Sequence, residues 1–293
     1  EIVYFGHQQI FTGATTYTCL LFLSKSPCEN FSFTKVDDLQ IWRNSINDVT
    51  QQVTNATVTH ESWNFSANED MKLFEKLRSF PITLGDIAER MSQGIRTSAN
   101  EVYVLDLIKE DDKFIHVDST NLGREIKIER NATANFLQGR EIKPYHVVPS
   151  GKVLLLPYQI QSDGAVLINA KDMQSKYPLA WDYLLENKEY LEAREKGRFK
   201  GNDWHMYGRK QNIDLMLLPK ILVPDIASGA SFALDEMGSY AFTSGYGIIL
   251  KGHVREADKY ILGLLNSNVL DFYLKQVSTP MRGGYFRYFT QFI

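Results

Sequence analysis

The chain has 293 residues, a formal charge of −3 and a pI of about 6.1. That length supports about two structural units, and the charge balance rules out a surface that is basic throughout, so any nucleic-acid site must be a local patch. Cys19 and Cys28 lack partners at metal-ligand spacing, and no apolar window approaches the about 18 residues of a spanning segment, which argues against zinc, a disulfide-built secreted domain and a membrane protein.

The chain opens at Glu1-Ile2-Val3-Tyr4-Phe5 with no initiator Met and enters strand-like sequence at once, as expected of a cut through a larger fold. Residues 15–23 are β-branched and aromatic, then solidly apolar, the pattern of a strand buried on both faces whose sheet neighbours would lie upstream. Residues 27–65 are polar and read as a connector. Ser66-Ala67-Asn68-Glu69 is a capping box, and Met71, Phe74 and Leu77 then share one face of a helix ending near Pro81. A second helix is predicted from Thr83 to Gly94, with Asp86 in the capping-box position. Short strands are predicted at 101–108, 114–117, 153–158, 165–168, 220–223 and 246–250. Between them, Pro178 opens a helix carrying Trp181, Leu184, Leu185 and Leu191 and stopped by Gly197. A last helical stripe runs from Arg255 to Val277, broken near Asn266-Ser267-Asn268. The class is mixed α and β.

The chemistry concentrates after the Pro178 helix. Arg194, Lys196, Arg198 and Lys200 alternate along the chain, and Trp204-His205-Met206-Tyr207-Gly208-Arg209-Lys210-Gln211 follows. From 194 to 210 six cationic residues face only Glu195 and Asp203, a local excess of four positive charges. Two readings stand. In one, arginines grip guanine edges, lysines neutralise phosphates, and Trp204 or Tyr207 stacks on bases. In the other, the loop is a solvated charge run whose aromatic residues tuck into the core. Gly94-Ile95-Arg96-Thr97-Ser98-Ala99-Asn100 either offers amides and hydroxyls to a phosphate or simply ends a helix and starts a strand. Thr279-Pro280-Met281-Arg282-Gly283-Gly284-Tyr285-Phe286-Arg287 either brings backbone close to another surface or forms a tight hairpin.

Catalytic signals are weak. Glu125-Ile126-Lys127 and Glu141-Ile142-Lys143 fit half of a metal-dependent nuclease signature, but the Pro224-Asp225 that would complete it follows in the wrong order. The six histidines (His7, His60, His116, His146, His205, His253) are dispersed, and none pairs with a Ser or Cys nucleophile and an orienting acid. The triplets at Asn30, Asn55, Asn64 and Asn131 match glycosylation acceptors only by composition.

Taken in order, these blocks resemble the C-terminal half of adenine-specific DNA methyltransferases of the type II and IIG restriction-modification kind, with a TaqI-like target recognition domain. Residues 5–25 look like the last strand region of the family's catalytic domain. Trp63 to Asn100 resembles the entry into its recognition domain, including the Gly-Ile-x-Thr turn, after which the family often has Gly where this chain has Ser98. Trp204 to Arg209, Lys220-Ile221-Leu222-Val223-Pro224, Leu262-Gly263-Leu264-Leu265-Asn266-Ser267 and Gly283-Gly284-Tyr285 resemble further blocks.

The resemblance implies a truncated methyltransferase sheet over residues 1–26, a connector with a helix over 27–80, and a β-rich recognition domain with packed helices over 81–293. It implies a DNA-reading part of a phage-defence methyltransferase or fused restriction enzyme in the cytoplasm, acting with a methyltransferase domain in cis. Duplex DNA is the partner, with no membrane. No cofactor is expected in this chain, because the family's glycine-rich S-adenosylmethionine loop and Asn-Pro-Pro-Tyr motif do not occur. The expected contact loop is Arg198, Lys200, Trp204, Tyr207, Arg209 and Lys210, with Arg96, Thr97, Arg282, Tyr285 and Arg287 as secondary contacts. The alternatives are a specificity subunit of a multi-subunit restriction system, or a nuclease using Glu125/Lys127 or Glu141/Lys143.

Overall fold

The computed structural model describes residues 1–14, 16–44, 50–58, 63, 65, 68–161, 164–254 and 258–293. Thr15 of the first apolar run, His60, the triplet at Asn64, Ser66 and Ala67 of the capping box, and the helix start at Arg255 lie outside the described residues. The chain divides into two compact units. Unit 1 is Glu1–Thr83, Ile226–Ala230 and Ser267–Ile293; unit 2 is Leu84–Asp225 and Ser231–Asn266.

In unit 1, β1 (Ile2–Tyr4), β2 (Cys19–Leu21), β3 (Asn30–Lys35) and β4 (Thr50–Thr54) form a sheet in the order β2-β1-β3-β4, with α1 (Leu39–Asn44) between β3 and β4. The expectation of a doubly buried strand at 15–23 does not hold: β2 is three residues long, sits at the sheet edge and is exposed throughout. Its apolar run records a tendency to bury, but among the described residues β1 is its one strand neighbour. On the other side of β1, this chain extends the sheet from downstream. Residues expected as a connector supply β3, parallel to β1, and β4, antiparallel to β3, and Phe33 and Val36 are buried there. The polar face of this stretch masked its alternation. α2 (Asn68–Arg78) buries Phe74 against Tyr273, with ring centroids 5.1 Å apart, on the face predicted for Met71, Phe74 and Leu77.

Unit 2 opens with α3 (Leu84–Ile87) and β5 (Ala88–Gln93). The helix expected to run to Gly94 therefore stops after one turn. Residues 88–93 form an antiparallel ladder with a strand more than a hundred residues downstream, a non-local partner that overrides local helix preference. Then come α4 (Asn100–Tyr103), β6 (Val104–Glu110), β7 (Phe114–Ser119), β8 (Arg124–Glu129), β9 (Thr133–Leu137), β10 (Ile142–Lys143), β11 (His146–Val147), β12 (Lys152–Leu155), β13 (Tyr158–Gln161) and β14 (Gly164–Leu167). Three helices follow, α5 (Ala170–Lys176), α6 (Pro178–Glu186) and α7 (Lys188–Gly197), and then β15 (Lys220–Pro224). Beyond β16 (Ile226–Ala227) of unit 1 lie β17 (Ala233–Asp235), β18 (Tyr240–Phe242), β19 (Gly245–Leu250) and α8 (Asp258–Leu265) of unit 2, and then α9 (Asn268–Val277), β20 (Pro280–Met281) and β21 (Tyr285–Arg287) of unit 1.

Two sheets carry unit 2, a six-stranded one in the order β18-β9-β12-β6-β7-β8 and a four-stranded one in the order β17-β15-β19-β5. Alternation explains their faces: in β7, Ile115 and Val117 are buried while His116 and Asp118 point away, and in β8 Ile126 and Ile128 are buried while Glu125 and Lys127 are not. The buried residues of this unit form one apolar cluster running from Ile95 to Phe242. Glu129 at the end of β8 caps α6, its two carboxylate oxygens accepting from the amides of Leu179 and Ala180, each at 2.9 Å. This fills the bare N-terminal amides where Pro178 has no donor to offer. The single helix expected over 178–197 is broken at Asn187, which is buried, donates to the Tyr183 carbonyl and accepts from Asn121. The break near Asn266-Ser267-Asn268 is present, with the Ser267 hydroxyl capping α9. Among the described residues no helix is long and apolar enough to cross a membrane.

Lys220 and Asp235 face each other across the β15–β17 ladder, both almost fully buried, with Nζ 2.6 Å from Oδ2. Lys220 also donates to the carbonyls of Met216 and Leu218, and Asp235 accepts from the amides of Ser239 and Tyr240, so both charges are fully engaged. Burial pushes the Lys220 ammonium down and the Asp235 carboxylate pulls it back. Lys220→Met strands the carboxylate and is expected to lower unfolding stability by about 3–5 kcal/mol in urea titrations. Adding Asp235→Asn, which removes the stranded charge and keeps an acceptor, is expected to recover much of that loss.

Candidate nucleic-acid interface

Leu184, Asn187, Leu191 and Arg194 recur at helical spacing and are all buried, so the core-facing row through α6 and α7 ends on a cation. Arg194 is only 7% exposed. Its Nε donates to the Leu191 carbonyl at 2.8 Å, Nη1 to that of Thr97 at 2.9 Å, and Nη2 to those of Trp204 at 2.8 Å and Met206 at 2.9 Å. The guanidinium lies 4.2 Å from the Phe199 ring centroid. Burial draws its pKa down, and the Tyr103 and Tyr158 phenols and Glu195 oppose that shift. One planar five-donor group thus holds three separate pieces of backbone, which a lysine could not do with a single nitrogen.

The chain turns sharply at this anchor. Arg194 is extended, with ψ 145°, and Glu195, Lys196 and Gly197 follow in the left-handed region with φ of 46°, 62° and 83°. For the two non-glycine residues that conformation costs about 1–2 kcal/mol each. Pinning of Arg194 on one side and the ion pairs of Glu195 on the other hold it in place.

The Gly-Ile-Arg-Thr turn and the basic loop lie against each other. The amide of Gly208 donates to the Thr97 carbonyl at 2.8 Å and that of Arg209 to the Arg96 carbonyl at 3.1 Å. A Cβ on Gly208 would stand 1.9 Å from Ser98 Oγ, so glycine is demanded by close approach. Ser98 itself has φ 57°, the conformation in which the family's glycine would sit without strain. Gly94 is equally confined, since a Cβ there would lie 2.5 Å from the Phe242 carbonyl oxygen. The turn therefore ends no helix: it leaves β5 and is fixed by the edge of β18.

The expected contact residues divide sharply. Arg96, Arg198, Lys200, Arg209 and Lys210 are exposed. Arg198 and Lys200 border an open groove of about 300 Å³, and Arg96 borders another of about 440 Å³. Trp204 and Tyr207 are 4% and 0% exposed, and their rings offer no free face to a base. Trp204 packs on Trp181, while the Tyr207 hydroxyl donates to the Leu155 carbonyl at 2.6 Å and its amide donates to the Tyr158 hydroxyl. Burial raises the phenols of Tyr103, Tyr158 and Tyr207. Thr97 is buried too, its hydroxyl donating to Asn100 Oδ1 and accepting from the Ala99 amide. These aromatic and hydroxyl groups shape the loop and the cations line its rim. Arg282, Tyr285 and Arg287 belong to unit 1, on a hairpin of β20 and β21 turned by Gly283 and Gly284 at φ 78° and 76°. There Arg282 donates to Gln9, Tyr285 is exposed, and Arg287 stacks on Phe289.

In the sequence Arg194 and Glu195 stand out only as charges. The helical row Leu184-Asn187-Leu191-Arg194 is the signal that marks the first; nothing local marks the second. The nuclease candidates are occupied elsewhere: Glu125 pairs with His116 at 2.7 Å, Lys127 sits over the Phe114 ring, and Glu141 is buried in a capping box with Gln138. Among the described residues no three His, Cys, Asp or Glu side chains converge as a metal site.

Residues 134–293 match the family described as the TaqI-like C-terminal specificity domain. The chain is 26% identical over 306 aligned residues to the type II restriction enzyme and methyltransferase RM.Eco57I of Escherichia coli, covering 97% of this chain and 30% of that protein. It is 24% identical to the type II methyltransferase M.BstVI of Geobacillus stearothermophilus and 25% identical to the type II methyltransferase M.XhoI of Xanthomonas vasicola. Those alignments cover 80% of this chain and 37% and 38% of the relatives, so the chain spans about a third of their length.

Two outcomes test this geometry. Gly208→Ala is expected to cost about 1–3 kcal/mol by overpacking against Ser98, and adding Ser98→Gly is expected to restore most of it, a coupling readable in a double-mutant cycle of melting curves. Buried His205 donates through Nε2 to the Ile168 carbonyl, and burial lowers its pKa below 6.5. The unfolded chain therefore takes the proton first, so this stability is complete above about pH 6.5 and is lost as pH falls through the folded value. Denaturation midpoints are expected to fall on acidification, with a shallower slope for His205→Gln.

Proposed function

The chain belongs to the family of TaqI-like C-terminal specificity domains, and on that premise we propose that it reads the sequence of duplex DNA as the specificity part of a restriction-modification methyltransferase. The observation that carries this reading is the row of exposed cations, Arg198, Lys200, Arg209, Lys210 and Arg96, held on backbone fixed by buried Arg194. A rigid frame places charged groups with the accuracy that base reading needs, where a free charge run would only track phosphates. Arg209 is the candidate base reader, since its guanidinium can meet the O6 and N7 of guanine together; Lys200 is a candidate phosphate contact. Arg282, Tyr285 and Arg287 are a separate set of candidate contacts.

Methyl transfer in this proposal belongs to a catalytic domain in cis, which would hold S-adenosylmethionine and act on an adenine extruded from the duplex. The exposed apolar edge at Leu20, Leu21 and Phe22 is consistent with a sheet that continues into such a domain.

Arg209→Ala is expected to weaken binding of the cognate duplex by about 1–3 kcal/mol and to relax preference at one base pair. Lys200→Ala is expected to weaken all duplexes alike and to reduce the slope of log affinity against log salt by about one unit. Selection of bound sequences from a random duplex pool, followed by salt titration, reads both. If neither variant alters affinity or selected sequence, the assignment of this loop is wrong.

A further inference from the structure

We propose that Glu195 sets the discrimination of the basic loop by holding the anion position between Arg198 and Arg209, so that DNA phosphate is disfavoured there relative to an uncharged base edge. This rests on the reading of the loop as a DNA contact. Glu195 spends one carboxylate oxygen on each arginine, Oε2 at 3.0 Å from Nη1 of Arg198 and Oε1 at 3.4 Å from Nη1 of Arg209. The two non-bridging oxygens of a phosphate would take the same bridging role. The side chain is held in place from behind, because Glu195 follows pinned Arg194 directly and sits in the left-handed region with φ 46°. Its Cα therefore projects from a backbone that Arg194 fixes through the carbonyls of Thr97, Trp204 and Met206, and the two ion pairs hold the carboxylate between the arginines.

The charge arithmetic then separates two kinds of DNA contact. A phosphate entering between the arginines meets a carboxylate already paired to both and must displace two ion pairs while bearing like charge. A guanine edge brings no net charge, so Arg209 can turn to it while Glu195 keeps Arg198. An acidic residue amid six cations thus lowers general affinity and widens the gap between specific and non-specific binding, a form of specificity built from repulsion. Lys196, Lys200 and Lys210, for which no acidic partner is found among the described residues, remain available to phosphates.

The test measures binding of the purified protein to a mixed-sequence duplex by anisotropy across a salt series, for wild type, Glu195→Gln and Asp203→Asn. Asp203→Asn makes the same charge change in the same loop. Glu195→Gln is expected to tighten binding about fivefold to tenfold at low salt and to steepen the salt slope by about one unit, with a clearly smaller gain for Asp203→Asn. The gain is expected to collapse when Arg198→Gln and Arg209→Gln are also present. Glu195→Asn, which tolerates the left-handed backbone, is expected to repeat it and serves if the Gln variant folds poorly. A residue with only a structural role would weaken binding on substitution. Unchanged or weaker binding for both Glu195 variants, or an equal gain for Asp203→Asn, overturns the proposal while leaving DNA binding intact. Wild-type protein with no salt-dependent binding overturns the functional reading and this inference together.

Discussion

The buried guanidinium of Arg194 is the constraint on which the candidate interface depends. Its four hydrogen bonds reach the end of α7, the Gly-Ile-Arg-Thr turn and the loop at Trp204 and Met206, three segments that share no sheet ladder with one another. A charge buried without such partners would be expelled or neutralised; with every carbonyl in place it becomes a rigid joint. The left-handed turn at Glu195 and Lys196, the approach of Gly208 to Ser98, and the juxtaposition of Arg96 with Arg209 all lie at that joint.

Aromatic and cationic residues of the loop consequently divide their labour. Trp204, His205 and Tyr207 face inward, with Trp181 and His205 ring centroids 5.3 Å apart and Tyr103 and Tyr207 4.9 Å apart. His205 Nε2 and the Tyr207 hydroxyl donate to carbonyls of the core, those of Ile168 and Leu155, which tie the inner side of the loop down. The outer side keeps only groups that suit water or a polyanion. In a protein of formal charge −3, a fixed rim of this kind concentrates positive potential where a diffuse surface could not.

Much of this was readable from the chain, and the failures share one cause. Local pattern sufficed for α2, for the all-buried strand Lys220–Pro224 and for the break at Ser267, where periodicity or a cap residue carries the information. It did not suffice for Ala88–Gln93, which is a strand because β19 pairs with it, nor for the polar strand Asn30–Lys35, which is a strand because β1 does. In the site, the sequence located the loop but not its inside and outside. Trp204 and Tyr207 look like stacking groups beside lysines and arginines until the carbonyls of Leu155 and the ring of Trp181, distant in sequence, claim them. Arg194 is the reverse case: one cation in a basic run, distinguished only by falling on the same helical row as Leu184 and Leu191.

The Arg194-fixed rim is the surface that we set against duplex DNA. Arginine-specific chemical footprinting of the protein with and without duplex DNA checks that placement. Protection of Arg96, Arg198 and Arg209 on DNA addition is expected, with Arg124 and Arg130, which are paired to Glu186 and Glu110, reacting equally in both states. Protection confined to other arginines, with those three still reactive in the complex, would contradict it.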